Sequence, residues 1–499
     1  MKKEIILNFI FTILTSILGF LQNKYFIKYM GIEVLGMMKL FSQLLAYLNI
    51  VELGLGSASA FALYKPLAEK NYKQISVIVN TIEKMYNKIG LILLGLGILC
   101  IPLIPFFIGK VTLSNEVYIY WILYVLNTIS TYLYIKYIIL FTANQEFIYV
   151  RIIQSTSKIL FQIIQIFLII KYQSFLIFIF LLILDNLTQF IFFRIHYRKK
   201  YLYIIKTKEK YEGIKKDIKN LFWHKIGGLV VFNTDLILIS KFVSLEMVGI
   251  YASYQMVSQI LNTIVVVIVG VISPKIGRYC SISTKKDIYK LFKKINIIFL
   301  LFGLFLVFNM YCLINSFIIL WIGKKFILTK ITTILLLINI FIVIIRKILD
   351  IFKEVNGYFD DVQSPILESV INLLISIILG MKMGLDGIII GTIVSNIVVI
   401  MIYKPILVFK RCFDKNLKEY IKVYGEYIFD IIISLIFLNL LIKPFLRIDI
   451  NNWIEWIIYA IIISNTTLII LLIVFCINKD YRNIIGEVIV NLKNKNKVI

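Results

Sequence analysis

The sequence predicts an all-α integral membrane protein with about fourteen transmembrane helices. Three observations carry that expectation. Apolar runs of about twenty residues, the length a helix needs to cross a hydrocarbon core, recur along the whole 499-residue chain. The runs are continuous rather than alternating, which disfavours a transmembrane barrel. Their sum is large: 60% of the residues are hydrophobic and the mean hydropathy is +0.89, against about 45–50% apolar residues in an ordinary soluble domain. The bilayer core has no water to satisfy free backbone groups, so helices are the default spanning structure.

The spans are expected near 5–27, 34–63, 89–109, 117–142, 148–170, 174–194, 219–242, 247–273, 295–322, 328–350, 362–381, 384–404, 424–443 and 455–477. The opening MKKEIILNFIFTILTSILGF is basic and then apolar, like a signal peptide. It lacks a small-residue cleavage site and further apolar segments follow, so it reads as a retained first helix. The second span is long and glycine-rich, and the eleventh is polar. With the N-terminus in the cytoplasm, 39 of the 54 Lys and Arg residues fall on that side, 11 fall outside and four lie within spans. Such an asymmetry supports the orientation and an even number of spans, and it places the C-terminus inside as well. The most basic loop, Arg194 to Lys219, is then cytoplasmic and divides the chain into halves. External loops are short and leave no room for an extracytoplasmic catalytic domain.

A net charge of +26 would suggest nucleic acid in a soluble protein. Here the basic residues sit between apolar segments, so they read as membrane topology, with contact to anionic lipid headgroups available to them. The five cysteines (Cys100, Cys280, Cys312, Cys412 and Cys476) are scattered and form no CxxC pair. They imply neither a disulfide framework nor a metal site. There is no Walker A pattern, no HExxH and no GxSxG, and the only histidines are His196 and His224. ATP hydrolysis and histidine-based metal chemistry are thereby disfavoured, and no cofactor is expected. Energy, if used, comes from an ion gradient or from the substrate gradient.

The chain repeats itself. KYMGIEVLGMM at 28–38 aligns without a gap on KFVSLEMVGIY at 241–251, an offset of 213 that pairs Lys28 with Lys241, Glu33 with Glu246 and Gly36 with Gly249. Ile75 and Ile288 keep that offset, and TANQEF at 142–147 resembles EVNGYF at 354–359 at an offset of 212. A duplicated unit of six helices follows, both copies inserting with one orientation, which is a known transporter plan with substrate near the midplane. The expected organisation is a six-helix lobe at 1–200, a basic cytoplasmic linker at 201–218, a second six-helix lobe at 219–410, and two additional helices with a cytoplasmic tail at 411–499.

Polar residues inside spans are costly and mark interiors or water-filled cavities. The clearest set is in span five, RIIQSTSKILFQIIQ. At 100° per residue, Arg151, Gln154, Lys158, Gln162 and Gln165 fall within about 80° of one another. This is either a cavity wall bearing two cations or a stripe packed on polar groups of a neighbouring helix. Span two offers Lys39 and Gln43 one turn apart. Glu52 lies about 220° round from Lys39 on an ideal helix, and the glycines of ELGLG leave open whether the segment bends. Span seven groups His224, Gly228 and Asp235 near one face with Lys225 beside them. They are candidates for a proton relay or for mutual hydrogen bonding. Span eight carries Gln255, Gln259 and Asn262 on one face, and span eleven carries Ser364, Glu368, Asn372 and Ser376. Span four has Asn127, Thr131 and Tyr134 on one face and Lys136 on another, while Asp185, Asn186 and Gln189 of span six read as interhelical hydrogen bonds. A cationic wall suits a phosphate or pyrophosphate, and the amides suit sugar hydroxyls.

The block YMGIEVLGMMKLFSQLLAYLNIVELGLGSASAFALYKPLAEKN resembles the second-helix signature of the polysaccharide or O-antigen flippases, members of the multidrug/oligosaccharidyl-lipid/polysaccharide exporter superfamily. The likeness rests on Gly31, Glu33 and Gly36, on the Glu52–Leu55 run and the basic loop after it, and on the ANQ and VNG turns. It covers residues 1 to about 410; Glu52 stands where the family often has Asp. The resemblance implies two six-helix lobes forming a V around a central cavity, with two extra C-terminal helices. It implies a flippase that carries an undecaprenyl-pyrophosphate-linked oligosaccharide to the outer leaflet of a bacterial cytoplasmic membrane by alternating access, for O-antigen or another surface polysaccharide. The implied partners are that glycan and membrane lipids, with a proton or sodium ion and other polysaccharide-assembly membrane proteins left open. In this reading Lys39, Gln43, Arg151, Gln154, Lys158, Gln162, Gln165, Lys225, Gln255, Gln259, Asn262 and Glu368 face substrate, and Glu52, His224 and Asp235 are candidates for ion coupling.

The alternative is a relative exporting small cationic drugs against an ion gradient, which would direct attention to Asp235 and Glu368. A membrane enzyme, such as a sugar polymerase or acyltransferase, is disfavoured by the short external loops and scarce histidines.

Overall fold

The computed structural model describes residues 2–52, 55–108, 115–209, 211, 234–358, 363–442, 450–478, 481–483 and 486. Helix dominates, and there is no strand among the described residues. The chain forms two compact units, Met1–Ala252 and Ser253–Ile499. The first holds α1 (Lys2–Met30), α2 (Ile32–Leu48), α3 (Leu55–Ala68), α4 (Tyr72–Leu99), the short α5 (Ile104–Ile108), α6 (Glu116–Ala143), α7 (Phe147–Tyr172), α8 (Phe175–Lys200), α9 (Asp235–Phe242) and the start of α10 (Leu245–Cys280). The second holds the rest of α10, then α11 (Lys285–Trp321), α12 (Lys330–Val355), α13 (Gln363–Met383), α14 (Leu385–Asn396), α15 (Lys404–Phe413), α16 (Leu417–Ile442) and α17 (Trp453–Phe475). Each expected span falls wholly or partly on a helix. Among the described residues nine helices are long and apolar enough to cross a membrane, or ten if the pair α4–α5, bent by 43°, is one span.

Three expected spans are not single helices; the third span bends between α4 and α5 at a 3-10 turn, Ile101–Leu103. The second breaks into α2, a 3-10 turn at Asn49–Glu52 and α3. The twelfth passes from α14 through a π-helical stretch, Ile397–Tyr403, into α15. Helix starts also differ from the apolar boundaries, because caps rather than hydropathy fix them. Asn71 accepts from the Gln74 N–H, so α4 begins well before its apolar part. Thr284 does the same for α11 through the Asp287 N–H.

Those two caps are 213 residues apart, and the duplication is written into the backbone. Asn144 ends α6 and Asn356 ends α12 at the second offset; the residues that follow, Gln145 and Gly357, both take positive φ, 62° and 76°. The matched stretches at 28–38 and 241–251 each form a helix, a tight turn and a second helix. The first turns at Gly31, with φ 92°. The second turns at Val243–Ser244, where the Ser244 hydroxyl accepts from the Met247 N–H.

In the first unit the buried core centres on Phe41, Tyr86, Trp121, Phe141 and Phe193. The Trp121 indole donates to the Gly97 carbonyl at 2.8 Å, holding α6 on α4. Asn186 of α8 binds Asn127 and Ser130 of α6 and accepts from Tyr134 at 3.1 Å, and Asp185 accepts from Ser157 and Gln189. Asp185 and Asn186 of span six thus make interhelical hydrogen bonds, as their sequence suggests, while Gln189 donates within α8 to Asp185. In the second unit Phe292, Phe352, Phe409 and Phe413 interlock edge to face and tilted. There α13 and α14 form a close hairpin. A Cβ on Gly387 would sit 2.1 Å from the Leu379 carbonyl oxygen, and one on Gly391 would sit 2.2 Å from Ser376 Oγ. This is the small-residue contact by which membrane helices approach.

Candidate functional site

The turn between α6 and α7 positions the first candidate residues. Asn144 closes α6, and the Glu146 carboxylate is clasped by the Asn144 amide at 2.7 Å, His196 Nε2 at 2.8 Å, Lys200 Nζ at 3.1 Å and the Tyr201 hydroxyl. Burial pushes the Glu146 carboxyl up, but these hydrogen bonds more than offset it and hold it at about 2. The clasp ties the start of α7 to the end of α8. The chain after α8 continues as a strap along α4: the Asn80 amide donates to the Ile205 carbonyl, and Ser76 and Thr81 accept from the N–H groups of Ile205 and Tyr211.

Beyond that turn, Arg151 and Gln154 line a cavity of about 390 Å³ with Leu7 and Asn8 of α1, Thr142 of α6 and Phe147 of α7. Arg151 Nη2 donates to Thr12 Oγ1 at 2.9 Å, while its Nε is buried with no acceptor among the described residues. Lys158, two turns on, is exposed. Lys39 of α2 is half-buried. Arg151, Lys158 and Lys39 have no carboxylate partner among the described residues, whereas Lys136 is neutralised by Glu83 at 2.5 Å. Gln43, one turn from Lys39, has a buried Oε1 without a partner among the described residues. The result is a cationic, amide-rich run in the first unit, suited to an acceptor-rich anion.

The far half of the stripe behaves differently. Gln162 and Gln165 are buried against α1 and α8. Gln22 donates to Gln165 Oε1 at 2.7 Å, and Gln165 donates to the Phe178 carbonyl at 3.4 Å. Gln162 reaches the Thr15 carbonyl at 3.4 Å. The stripe is therefore open at its Arg151 end and packed at its Gln165 end.

In the second unit Gln255 and Asn262 are half-buried and Gln259 is exposed on one face of α10, with no side-chain hydrogen bond among the described residues. Glu368 is not open to a ligand. It is buried and pairs with Arg346 at 3.0 Å; Arg346 also meets Asp350 at 3.3 Å, and Asp350 takes Lys404 at 2.6 Å. This four-membered charge network joins α12, α13 and α15, and the sequence reading did not single out Arg346, Asp350 or Lys404. Their signal is the Arg346–Asp350 spacing of four inside an apolar span. Glu52 accepts from Tyr86 on α4 at 3.3 Å, which turns it toward α4. Asp235 is buried beside Thr234 and accepts from Tyr251 at 3.4 Å. His224 and Lys225 lie outside the described residues. No group of three or more His, Cys, Asp or Glu that could hold a metal occurs among the described residues.

Helices in this order, duplicated about tight turns, define an all-helical, multi-pass membrane protein. The chain belongs to the polysaccharide biosynthesis protein family, whose model matches residues 1–280, more than half of its length. Among solved structures it is similar to the lipid II flippase MurJ in an inward closed conformation. The TM-score is 0.64 at 18% identity, over 96% of this chain and 100% of that one. It is also similar to a multidrug resistance MATE family transporter of the MOP superfamily. The inward-facing form gives a TM-score of 0.58 at 12% identity over 79% of this chain and 94% of that one. An outward-facing form gives 0.51 at 13% identity, over 81% and 94%. None of the curated protein sequences matches the chain.

Proposed function

We propose that the chain is a flippase that moves an undecaprenyl-pyrophosphate-linked oligosaccharide from the cytoplasmic to the outer leaflet of a bacterial cytoplasmic membrane, by alternating access, for O-antigen or another surface polysaccharide. The observation that carries the reading is the pair of α7 cations, Arg151 and Lys158, without carboxylate partners among the described residues, with Arg151 and Gln154 lining a cavity at the start of α7. A pyrophosphate needs cations and N–H donors, and its glycan needs amides; the run offers both. The family and the likeness to a lipid II flippase favour a lipid-linked cargo. The exporter reading leans on Asp235 and Glu368. Tyr251 donates to the first and Arg346 pairs with the second, so neither carboxylate is an idle site for a cationic drug.

The test compares the pool of lipid-linked oligosaccharide in cells with and without the protein. Complete repeat units accumulating on the cytoplasmic side, with surface polysaccharide lost, are expected. An unchanged pool with altered drug sensitivity would favour the exporter.

A further inference from the structure

We propose that a second pocket, in the Ser253–Ile499 unit, binds the phosphate of a membrane lipid. This pocket has a volume of about 330 Å³ and lies where the end of α11, the start of α12 and the start of α17 meet. Tyr311, Asn315, Ser316, Lys330, Thr333 and Tyr459 line it. Its size falls at the small end of ligand pockets, which run roughly 300–1,000 Å³.

The lining is rich in hydrogen-bond donors. Tyr254 is buried and its oxygen accepts from the Leu328 N–H at 3.0 Å, so its single proton goes to Asn315 Oδ1, 2.9 Å away. That fixes the Asn315 amide: the oxygen is used, and the NH₂ group is left as a donor without an acceptor among the described residues. Among the described residues the hydroxyls of Tyr311 and Tyr459 likewise have no hydrogen-bond partner, and the Lys330 ammonium has no carboxylate. The Ser316 and Thr333 hydroxyls already donate, to the Leu313 and Thr329 carbonyls at 2.9 Å each, and keep only acceptor capacity. Four groups able to donate, one of them charged, thus face the space beside the Ser316 and Thr333 acceptors, and a small anion rich in oxygen is the complement of the donors.

The position selects a lipid. Phe317, Trp321, Trp453 and Trp456 cluster at the same helix ends, with ring centroids 5.4 Å apart for Phe317–Trp453 and 5.5 Å for Phe317–Trp456. Tryptophans of this kind mark the headgroup level of a bilayer. Asn315 is six residues before Trp321 and Tyr459 is three after Trp456, so both lie within roughly 5–10 Å of that level along their helices. Phosphates of lipids lie at this depth.

The phosphate could come from a bulk phospholipid or from a polyprenyl carrier, and the test separates them. Full-length protein in detergent is mixed with phosphatidylglycerol, undecaprenyl phosphate or phosphatidylcholine, and retained lipid is counted by native mass spectrometry. Wild type should retain one anionic lipid, and Lys330→Gln should retain about tenfold less, the loss of one charge-assisted contact. Lys330 is exposed, so this variant folds. Tyr254→Phe, which frees the Asn315 amide to turn, should lower retention several-fold. Lys382→Gln, an exposed lysine elsewhere, should have no effect. Retention of phosphatidylglycerol alone assigns bulk lipid, undecaprenyl phosphate alone assigns the carrier, and both assign lipid phosphate generally. Equal retention by wild type and Lys330→Gln, or equal loss in Lys382→Gln, overturns the proposal. The outcome is independent of which glycan the protein moves.

Discussion

Gly36 of α2 and Gly249 of α10 pack against each other's helix, although 213 residues separate them. A Cβ on Gly36 would lie 1.9 Å from the Leu245 carbonyl oxygen and 3.1 Å from the Gly249 nitrogen; one on Gly249 would lie 2.3 Å from the Ile32 carbonyl oxygen. The two copies of the duplicated turn therefore meet, glycine to backbone. Each repeat needs its glycine because the other repeat fills the space.

It follows that G36A and G249A destabilise the protein, because backbone on the far side cannot yield as a flexible side chain would. The cost is about 1–3 kcal/mol or more for each, read as a lowered thermal midpoint in detergent. Gly95, with nothing within 4 Å of an added Cβ, is the control: G95A should leave the midpoint in place. Equal effects at Gly36 and Gly95 would contradict the packing.

The cationic run can be tested by removal. Arg151→Ala combined with Lys158→Ala should reduce transport about tenfold or more while the protein still inserts, because neither side chain has a carboxylate partner among the described residues for its loss to strand. Transport is read from surface polysaccharide, and insertion from protein in the membrane fraction. Wild-type transport in the double variant would remove these residues from the site.

The buried network predicts an order of stabilities. Glu368→Ala leaves Arg346 short of one partner and should cost about 3–5 kcal/mol, as breaking a buried pair does. Replacing Glu368 and Arg346 together by Met leaves Asp350 with Lys404 and should be milder than the single change. Thermal midpoints of the two variants decide it; a double variant less stable than the single would sink the network reading.

Glu146 gives a pH dependence with a definite sign. Its folded-state value of about 2 lies below the ~4.3 of an unfolded glutamate. The stabilisation is present above pH ~4.3 and is lost as pH falls toward 2. Wild type should therefore exceed Glu146→Gln in thermal stability at pH 6, and the gap should close across that acidic window. A gap that is constant with pH would mean that the carboxylate charge contributes nothing.

The helices and the duplication were legible because both follow from simple rules. Apolar length marks what lies in hydrocarbon, and an offset of 213 survives in Lys28, Glu33 and Gly36 even where Ser244 replaces Gly31. The stripe of Arg151, Gln154 and Lys158 was legible from periodicity alone. Periodicity could not say what stands opposite, so it missed that Gln22 takes up Gln165 and that Arg346 takes up Glu368. Nor could hydropathy see that the strap after Tyr201 is held on α4, since Ser76, Asn80 and Thr81 bind it with side chains that look incidental in an amphipathic helix. Helix breaks at Asn49–Glu52 and Ile397–Tyr403 were hidden because the apolar pattern continues through them.

The π-helical stretch before Lys404 acts as a gauge of chain length. Its turns hold more residues than α-turns, so it takes up an extra residue and keeps the angular phase of everything after it, including the Lys404 ammonium 2.6 Å from Asp350 and the buried faces of Val408 and Phe409. Loss of one codon in Ile397–Tyr403 would let the segment close as α-helix with the phase after it nearly kept, whereas loss of one codon in the α-helical Leu385–Asn396 would swing Lys404 by roughly 100° away from Asp350. Exchange of one apolar residue for another leaves the phase alone. Across related genes the extra residue of the π-helical stretch should come and go more readily than residues of the flanking α-turns, while the buried Val399 and Ile400 should keep their size.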